Sequence, residues 1–320
     1  MSDYRNHIGI IGGGIAGLTL GCALLKQDIP AIIFEKMPEE TSHGAAISLS
    51  SNALRLLDRL EIYNDLKNQS FVHSAASIQG PQKEISSFPT PEVLTTRRQT
   101  LMSLLYSRYI NLGGEIFHHH DFASFDVAKC EVKFTNENKY TLKHLAACDG
   151  IRSSIRDTFF AANQDPKYSG YSAWRGIGKS NLQKIHFALG PDSHIVSYPI
   201  NKEGDVSFVA VRKEDYQFKE SWKEEGSISD LLDDFSTYDS KIFPALEDSV
   251  TLYKWGIYIR PPLKSMIAKN ITLLGDAAHP MVPFLGQGAC MAIEDSYSFA
   301  MACKEHMANL ANAQEAYDYV

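Results

Sequence analysis

Three glycines, Gly12, Gly14 and Gly17, stand in the order G-x-G-x-x-G between the apolar run HIGII and a segment of helical character. That spacing has a chemical use. Gly12 permits a tight turn, Gly14 lets backbone N–H groups approach a pyrophosphate, and Gly17 lets the helix pack closely on the strand. Glu35 closes the next apolar run, AIIFE, where a carboxylate can accept hydrogen bonds from ribose hydroxyls. Together these residues predict a site for an ADP-containing cofactor, NAD or FAD alike, with Ile15, Ala16 and Lys36 beside it. A glycine-rich packing turn, the competing reading, leaves Glu35 unexplained. A second stretch, LLGDAAHPMVPFLGQGACMAIEDS (273–296), puts a lone carboxylate, Asp276, at a strand end and glycines at the next helix start. A third, HIVSYPI, sets His194 and Tyr198 four apart in a strand, so that both side chains share one face.

These groups need elements to hold them. The first 35 residues read as strand, turn, helix (18–26) and strand. Residues 52–60 are amphipathic, with Leu54, Leu57 and Leu60 at helical spacing and Ser51 or Asn52 placed as a cap. Residues 98–112 form a second helix, whose Leu101, Leu104, Leu105, Tyr109 and Leu112 make one apolar stripe ended by Gly113-Gly114. From Glu115 the period changes to two. CEVKFT and KYTLKH, joined by NEN, predict an antiparallel hairpin, and LAACDG a buried strand ending in Asp149-Gly150. Residues 168–212 read as short alternating strands. A polar helical piece around 228–235 follows, then the strand TLYKWGIYI and, past Arg260-Pro261-Pro262, NITLLGD. An α/β fold results: a Rossmann-like cofactor domain from 1–75, 97–165 and 265–320, with an inserted β-rich substrate domain from 76–96 and 166–264.

Composition narrows the class. A hydrophobic share of 44% excludes a disordered or fibrous chain, and a net charge of -7 leaves no basic footprint for nucleic acid. Five cysteines without a CxxC pair suggest reduced thiols and a cytoplasmic protein. Residues 8–25 are uncharged and just long enough for a membrane span, but their glycine fingerprint favours a soluble turn, so no integral membrane segment is expected. His118-His119-His120 alternate in a predicted strand and predict no metal site. His279 is expected to fix its loop, and the charge run KEDYQFKESWKEE (213–225) to be a solvated face.

Three motifs carry a resemblance. GGGIAG with Glu35, DGIRSSIR (149–156, the pattern D-G-x-x-S-x-x-R) and GDAAHPMVPFLGQG (275–288) together resemble single-component FAD-dependent aromatic hydroxylases of the salicylate-hydroxylase and hydroxybenzoate-hydroxylase type. Weaker echoes, RRQTLMSLL, YSGYSAWRG, HIVSYPI and RPPL, extend it over nearly the whole chain. The resemblance implies a hydroxybenzoate-hydroxylase-like fold, FAD as cofactor and NAD(P)H as co-substrate. It also implies transfer of one oxygen atom of O2, through a flavin C4a-hydroperoxide, to a small phenolic or hydroxypyridine-type acid. Carried over to this sequence, it puts Asp276 on the FAD ribityl chain and Pro283 beside the flavin ring. Gly288 and Ala289 then open a helix whose N–H groups and dipole favour an anionic reduced flavin. It puts Arg98 and Asp149 on the cofactor, and Ala46 and Ile47 in a loop against the flavin. Two departures stand out: HGAAISLS carries Ala46 for a glycine and Ser51 for a proline, and AACDG replaces G-A-D-G.

On that reading the protein holds a ring, excludes water and helps to deprotonate a phenol of pKa near 10. His194 with Tyr198 is the candidate base, against an ordinary strand histidine. Gln287, Trp174 and Arg175 are candidates to touch substrate, with core packing the competing reading of Trp174. Two alternatives stay open. One is a related FAD monooxygenase acting on a non-aromatic or larger substrate, such as an epoxidase or antibiotic hydroxylase, which a wholly apolar cavity would favour. The other is a C-terminally shortened flavin-binding protein without turnover, since family members continue beyond the segment that EAYDYV resembles. The partners expected are the aromatic substrate and O2, for a monomer or homodimer.

Overall fold

The computed structural model describes residues 4–38, 46–81, 83–160, 165–214, 225–244, 252–306 and 309–319. The charge run at 213–225 therefore lies mostly outside the described residues.

Two large sheets organise the chain. The first orders Ile267–Ala268, Ile271–Leu273, His144–Ala147, Ile8–Ile11, Ala31–Phe34 and Glu115–Phe117. Only its first pair is antiparallel; the rest run parallel. Its central strands are buried on both faces, as parallel strands flanked by other layers must be. Helices Ile15–Leu25 and Gly288–Glu305 share its apolar core with Leu101, Leu105 and Tyr109 of helix Arg98–Asn111. The first helix begins three residues before the predicted start, because Gly14 itself is the N-cap. At 11 residues it does not span a bilayer, and no described helix is long and apolar enough to do so.

The second sheet has nine strands, in the order Glu225–Gly226, Leu252–Ile259, Lys167–Lys179, Asp205–Lys213, Ser193–Pro199, Ile185–Leu189, Phe71–Gln79, Glu84–Arg97 and Ala46–Ser50. It also takes in Ala46–Ser50 and the start of Phe71–Gln79, from segments that the sequence groups with the cofactor domain. Lys167–Lys179 is one long strand rather than several short ones. A register shift between Tyr168 and Ser172, around Gly170 at φ 85°, bends it without ending it. The predicted hairpin is present, Glu131–Phe134 against Lys139–Thr141, and Phe122–Asp126 completes a small third sheet.

The three histidines correct the sequence expectation. The strand stops at Phe117, and His119 turns at φ 59°. His118 Nδ1 lies 3.1 Å from the Met37 carbonyl, and His120 stands between the His118 carbonyl and Tyr140. They are turn residues, not alternating strand positions.

Candidate active site

The glycine turn separates into two kinds of glycine. A Cβ at Gly12, which turns at φ 105°, would lie 2.4 Å from the Cys148 carbonyl oxygen. One at Gly17 would lie 1.9 Å from the Gly12 carbonyl oxygen. The fold itself requires both. At Gly14 a Cβ would meet nothing within 4 Å. Gly14 caps its helix with extended backbone, no side chain caps the helix, and no acid stands in its first turn. The first N–H groups of this helix have no partner within it, and the open space beside Gly14 lies at the positive end of its dipole. Glu35 accepts the Gly13 N–H at 2.6 Å and the Met37 N–H at 2.8 Å. Its carboxylate has lone pairs left for further donors.

Asp149 closes the other side of this turn; its Cα would be 3.3 Å from a Cβ at Gly12. One carboxylate oxygen, Oδ1, is buried and has no hydrogen-bond partner. Burial pushes the carboxyl up to about 6, although the Ser153 hydroxyl, nearby backbone N–H groups and the Lys36 charge all act downward. A buried oxygen without a donor calls for one.

Asp276 stands in the short turn Gly275–Ala277 that follows strand Ile271–Leu273. Gly275, at φ 59°, is wedged between helices: a Cβ on it would lie 3.2 and 3.3 Å from the Cβ atoms of Ala16 and Ala292. Its N–H donates to Asp295 Oδ2 at 2.7 Å, and His279 Nε2 meets the same oxygen at 2.7 Å. That hydrogen bond raises the His279 pKa, so His279 fixes its loop as the sequence implied. Arg156, fully buried, donates to the carbonyls of Ala277, Ala278 and Pro261 and ties the Asp149 segment to the same loop. Asp276 is solvent-accessible, yet surrounding protein still raises its pKa, with the His279 and Arg98 charges opposing. Accessible but crowded, the carboxylate projects into a cleft. Arg98, partly buried at the head of its helix, shares that cleft.

The loop continues through Pro283, which is exposed, and Gly286 in the left-handed region at φ 64°. It then enters helix Gly288–Glu305, uncapped by any side chain and without an acid in its first turn. A Cβ at Gly288 would meet nothing within 4 Å. Ala289, in the same first turn, is partly buried. The Gln287 amide donates to Ser50 Oγ at 3.1 Å, and Ser50 donates to Asn52 at 2.7 Å. Neighbouring Asn52 donates to Glu294 at 2.9 Å.

Strand register decides which residues face this loop. Arg175 pairs with Val209 and Val209 with Val196, whereas Trp174 pairs with Ala210 and Ala210 with Ile195. Side chains alternate, so Arg175, Val196, His194 and Tyr198 share one face and Trp174 takes the other. On the first face Val282 and Phe284 pack against Ala173, Val211, Trp255 and Ile257. The Phe284 ring meets His194 edge-on, centroids 5.0 Å apart, and Tyr171 at 5.4 Å. Half-buried His194 is held below the usual imidazole pKa by desolvation. Arg175 lies over the Trp255 ring at 5.7 Å and donates to the carbonyl of buried Ala46 at 3.3 Å. Its charge faces the buried Tyr198, whose phenol burial raises. Ile47, next to Ala46, is partly buried in the edge strand.

Trp174, a candidate substrate residue, is almost fully buried on the face opposite His194 and Arg175. It packs with Phe208, Leu231 and Phe235 on the far face, and its indole N–H donates to Asp234 at 2.7 Å. Gln287 is likewise engaged with Ser50. Phe284, Trp255 and Asp295 are residues that sequence reasoning passed over. Phe284 lay inside the quoted loop, but only register shows that it meets His194.

Free volume at two uncapped helix starts, an orphaned buried carboxylate oxygen and an accessible acid between them fit a long, anionic dinucleotide. A family model described as FAD binding domain matches residues 5–315. The 3-amino-4-hydroxybenzoate 2-monooxygenase PtnB3 of Streptomyces platensis is 28% identical over 94% of this chain and 80% of its own length. Salicylate hydroxylase of Pseudomonas putida is 26% identical over 98% and 81%. The structure of Klebsiella pneumoniae HpxO with FAD and uric acid superposes with a TM-score of 0.86 at 19% identity, covering 98% of this chain and 83% of that one. With the match running over both sheets and every part of the cleft, the chain belongs to the FAD-binding-domain family of flavin-dependent monooxygenases, with FAD as its cofactor.

Proposed function

We propose that this monooxygenase hydroxylates a small aromatic acid, phenolic or of the hydroxypyridine type, using NAD(P)H and O2. One oxygen atom enters the ring and the other leaves as water, with the two electrons coming from NAD(P)H. Bound FAD supplies the redox chemistry that joins these reactants. Gly14, Ile15 and Ala16 hold its pyrophosphate, Glu35 and Lys36 its adenosine end. Asp276, Arg98, Pro283 and the Gly288–Ala289 turn hold its flavin end, and between them Asp149 offers an acceptor for a donor hydroxyl of the cofactor.

The observation that carries the substrate class is the pairing of a neutral imidazole and a buried guanidinium on one apolar face. His194 and Arg175 are two strands and two residues apart, about 12 Å between Cα atoms at ordinary sheet spacing. Both side chains project inward, and Phe284 and Trp255 stand as aromatic walls. An imidazole held below its usual pKa is free to accept a phenol proton near neutrality. The guanidinium suits a carboxylate. The two relatives described above act, by their names, on aromatic hydroxy acids, which agrees with this reading.

The test is NAD(P)H oxidation by the FAD-loaded protein with a panel of salicylate-like and hydroxypyridine acids. Strong stimulation by one acid with a hydroxylated product supports the reading. Stimulation only by uncharged or non-aromatic compounds overturns it.

A further inference from the structure

The face of the nine-stranded sheet turned away from the flavin cleft carries a second cavity, of about 230 Å³. Register brings Ser197 and His186 together on its floor, with Ser77 beyond His186 outside the lining. His186 pairs with Ser77 on one side and with Ser197 on the other, so three polar side chains stand abreast across neighbouring strands. Ser77 is 0% and Ser197 2% exposed. Neither hydroxyl has a hydrogen-bond partner, although each is fully enclosed. Buried hydroxyls in native proteins are nearly always satisfied, so the unsatisfied Ser197 hydroxyl, which lines the cavity, calls for a partner. Ser197 and His186 line the cavity together with Gln79. At its rim stand Lys83 and Lys241, with Phe243 as an apolar wall. Asp239, also at the rim, turns its carboxylate onto the Lys241 backbone N–H at 3.0 Å.

We propose that this cavity is a binding site for a small organic carboxylate, distinct from the substrate chamber. The anionic head meets the two ammonium groups and the Ser197 hydroxyl donates to it, while the short apolar tail lies against Phe243. Two cations at the rim and a donor-rich floor exclude a cationic or wholly apolar occupant. Strand Ser193–Pro199 presents His194 and Tyr198 to the chamber and Ser197 to this cavity, so the two ligands grip one strand from opposite faces.

The probe is butanoate, titrated calorimetrically into the FAD-loaded protein, with inorganic phosphate in a parallel arm. Saturable one-site binding of butanoate is expected. Ser197→Ala weakens it about threefold to tenfold, the loss of one hydrogen bond. Lys241→Glu weakens it further, and both variants keep their FAD and their unfolding midpoint. The flavin absorbance stays unchanged during the titration, which separates this site from the chamber. No saturable binding, or equal binding by wild type and both variants, overturns the proposal. Phosphate binding without butanoate binding overturns the carboxylate assignment, and a flavin shift that tracks butanoate occupancy assigns the binding to the chamber instead.

Discussion

Replacing Asp149 with Asn isolates the energetic cost of the cofactor edge. In the FAD-free protein this carboxyl is raised from 3.8 to about 6, mainly by burial. At 1.36 kcal/mol per pH unit, that difference is about 3 kcal/mol in favour of the protonated form. The sign follows from linkage. The folded pKa lies above the unfolded one, so above about pH 6 the carboxylate is ionised in both states and destabilises the fold by about 3 kcal/mol. As pH falls from about 6 to about 4 the folded state takes up a proton first and the cost disappears. Asn has the same shape and no charge, so Asp149→Asn should be the more stable protein at pH 7. With an unfolding entropy of about 2.1 cal/mol/K per residue, the 320-residue chain should gain about 4 °C in its unfolding midpoint. The assay is thermal unfolding by circular dichroism, with FAD removed, at pH 7 and pH 4.5. The gap between variant and wild type should shrink at the lower pH to about a third of its size. With FAD bound it should narrow at pH 7, because the orphaned oxygen then has its donor. A variant no more stable at pH 7, or a gap independent of pH, would refute the argument that burial strains this carboxylate.

Four further outcomes follow from the same geometry. Gly14→Val should fold with a normal midpoint yet lose FAD, because its side chain enters free volume; Gly17→Val should lose the fold itself, since even a Cβ collides with the Gly12 carbonyl. Soluble, colourless Gly14→Val against insoluble Gly17→Val is the result to look for. Asp276→Ala should weaken FAD binding roughly tenfold to a hundredfold, the loss of one charge-assisted hydrogen bond, measured by fluorescence titration. His194→Ala should keep FAD and lose coupled hydroxylation. In the wild type the acid limb of the pH–rate profile should fall below the ordinary imidazole value of about 6.5, since burial lowers this pKa; an unaltered profile in the variant removes His194 from proton transfer. Trp174→Phe should cost about 1.5–3 kcal/mol of stability through the lost Asp234 hydrogen bond and leave FAD content and turnover unchanged. Altered substrate preference there would contradict the register.

The cofactor half of the site was legible because its constraints are local. A positive φ at Gly12, a helix start at Gly14 and an acid at a strand end each leave a mark within a few residues. The substrate half depends on phase, which is not local. Trp174 and Arg175 are sequence neighbours in one strand, so alternation alone says that they cannot both face the chamber. Which one does is decided by distant partners. Gly226 gives the Trp174 ring its room: a Cβ there would lie 2.2 Å from the ring. Helix Ile228–Asp234 covers that face and offers Asp234 to the indole. Lys254 and Arg212 bind the same carboxylate, at 2.7 Å each, and lock the phase further. Gln287 escaped for a related reason: its partner Ser50 is far away in sequence, in an edge strand that joins the large sheet only through Glu84–Arg97. Once the phase is set by the outer face, the inner face has no freedom left. Arg175, Val209 and Val196 must stand in one row, with His194 two residues along it, and the Phe284 loop can close on no other set of side chains. The chemistry of the proposed substrate face is therefore fixed by a helix on the opposite face of the sheet.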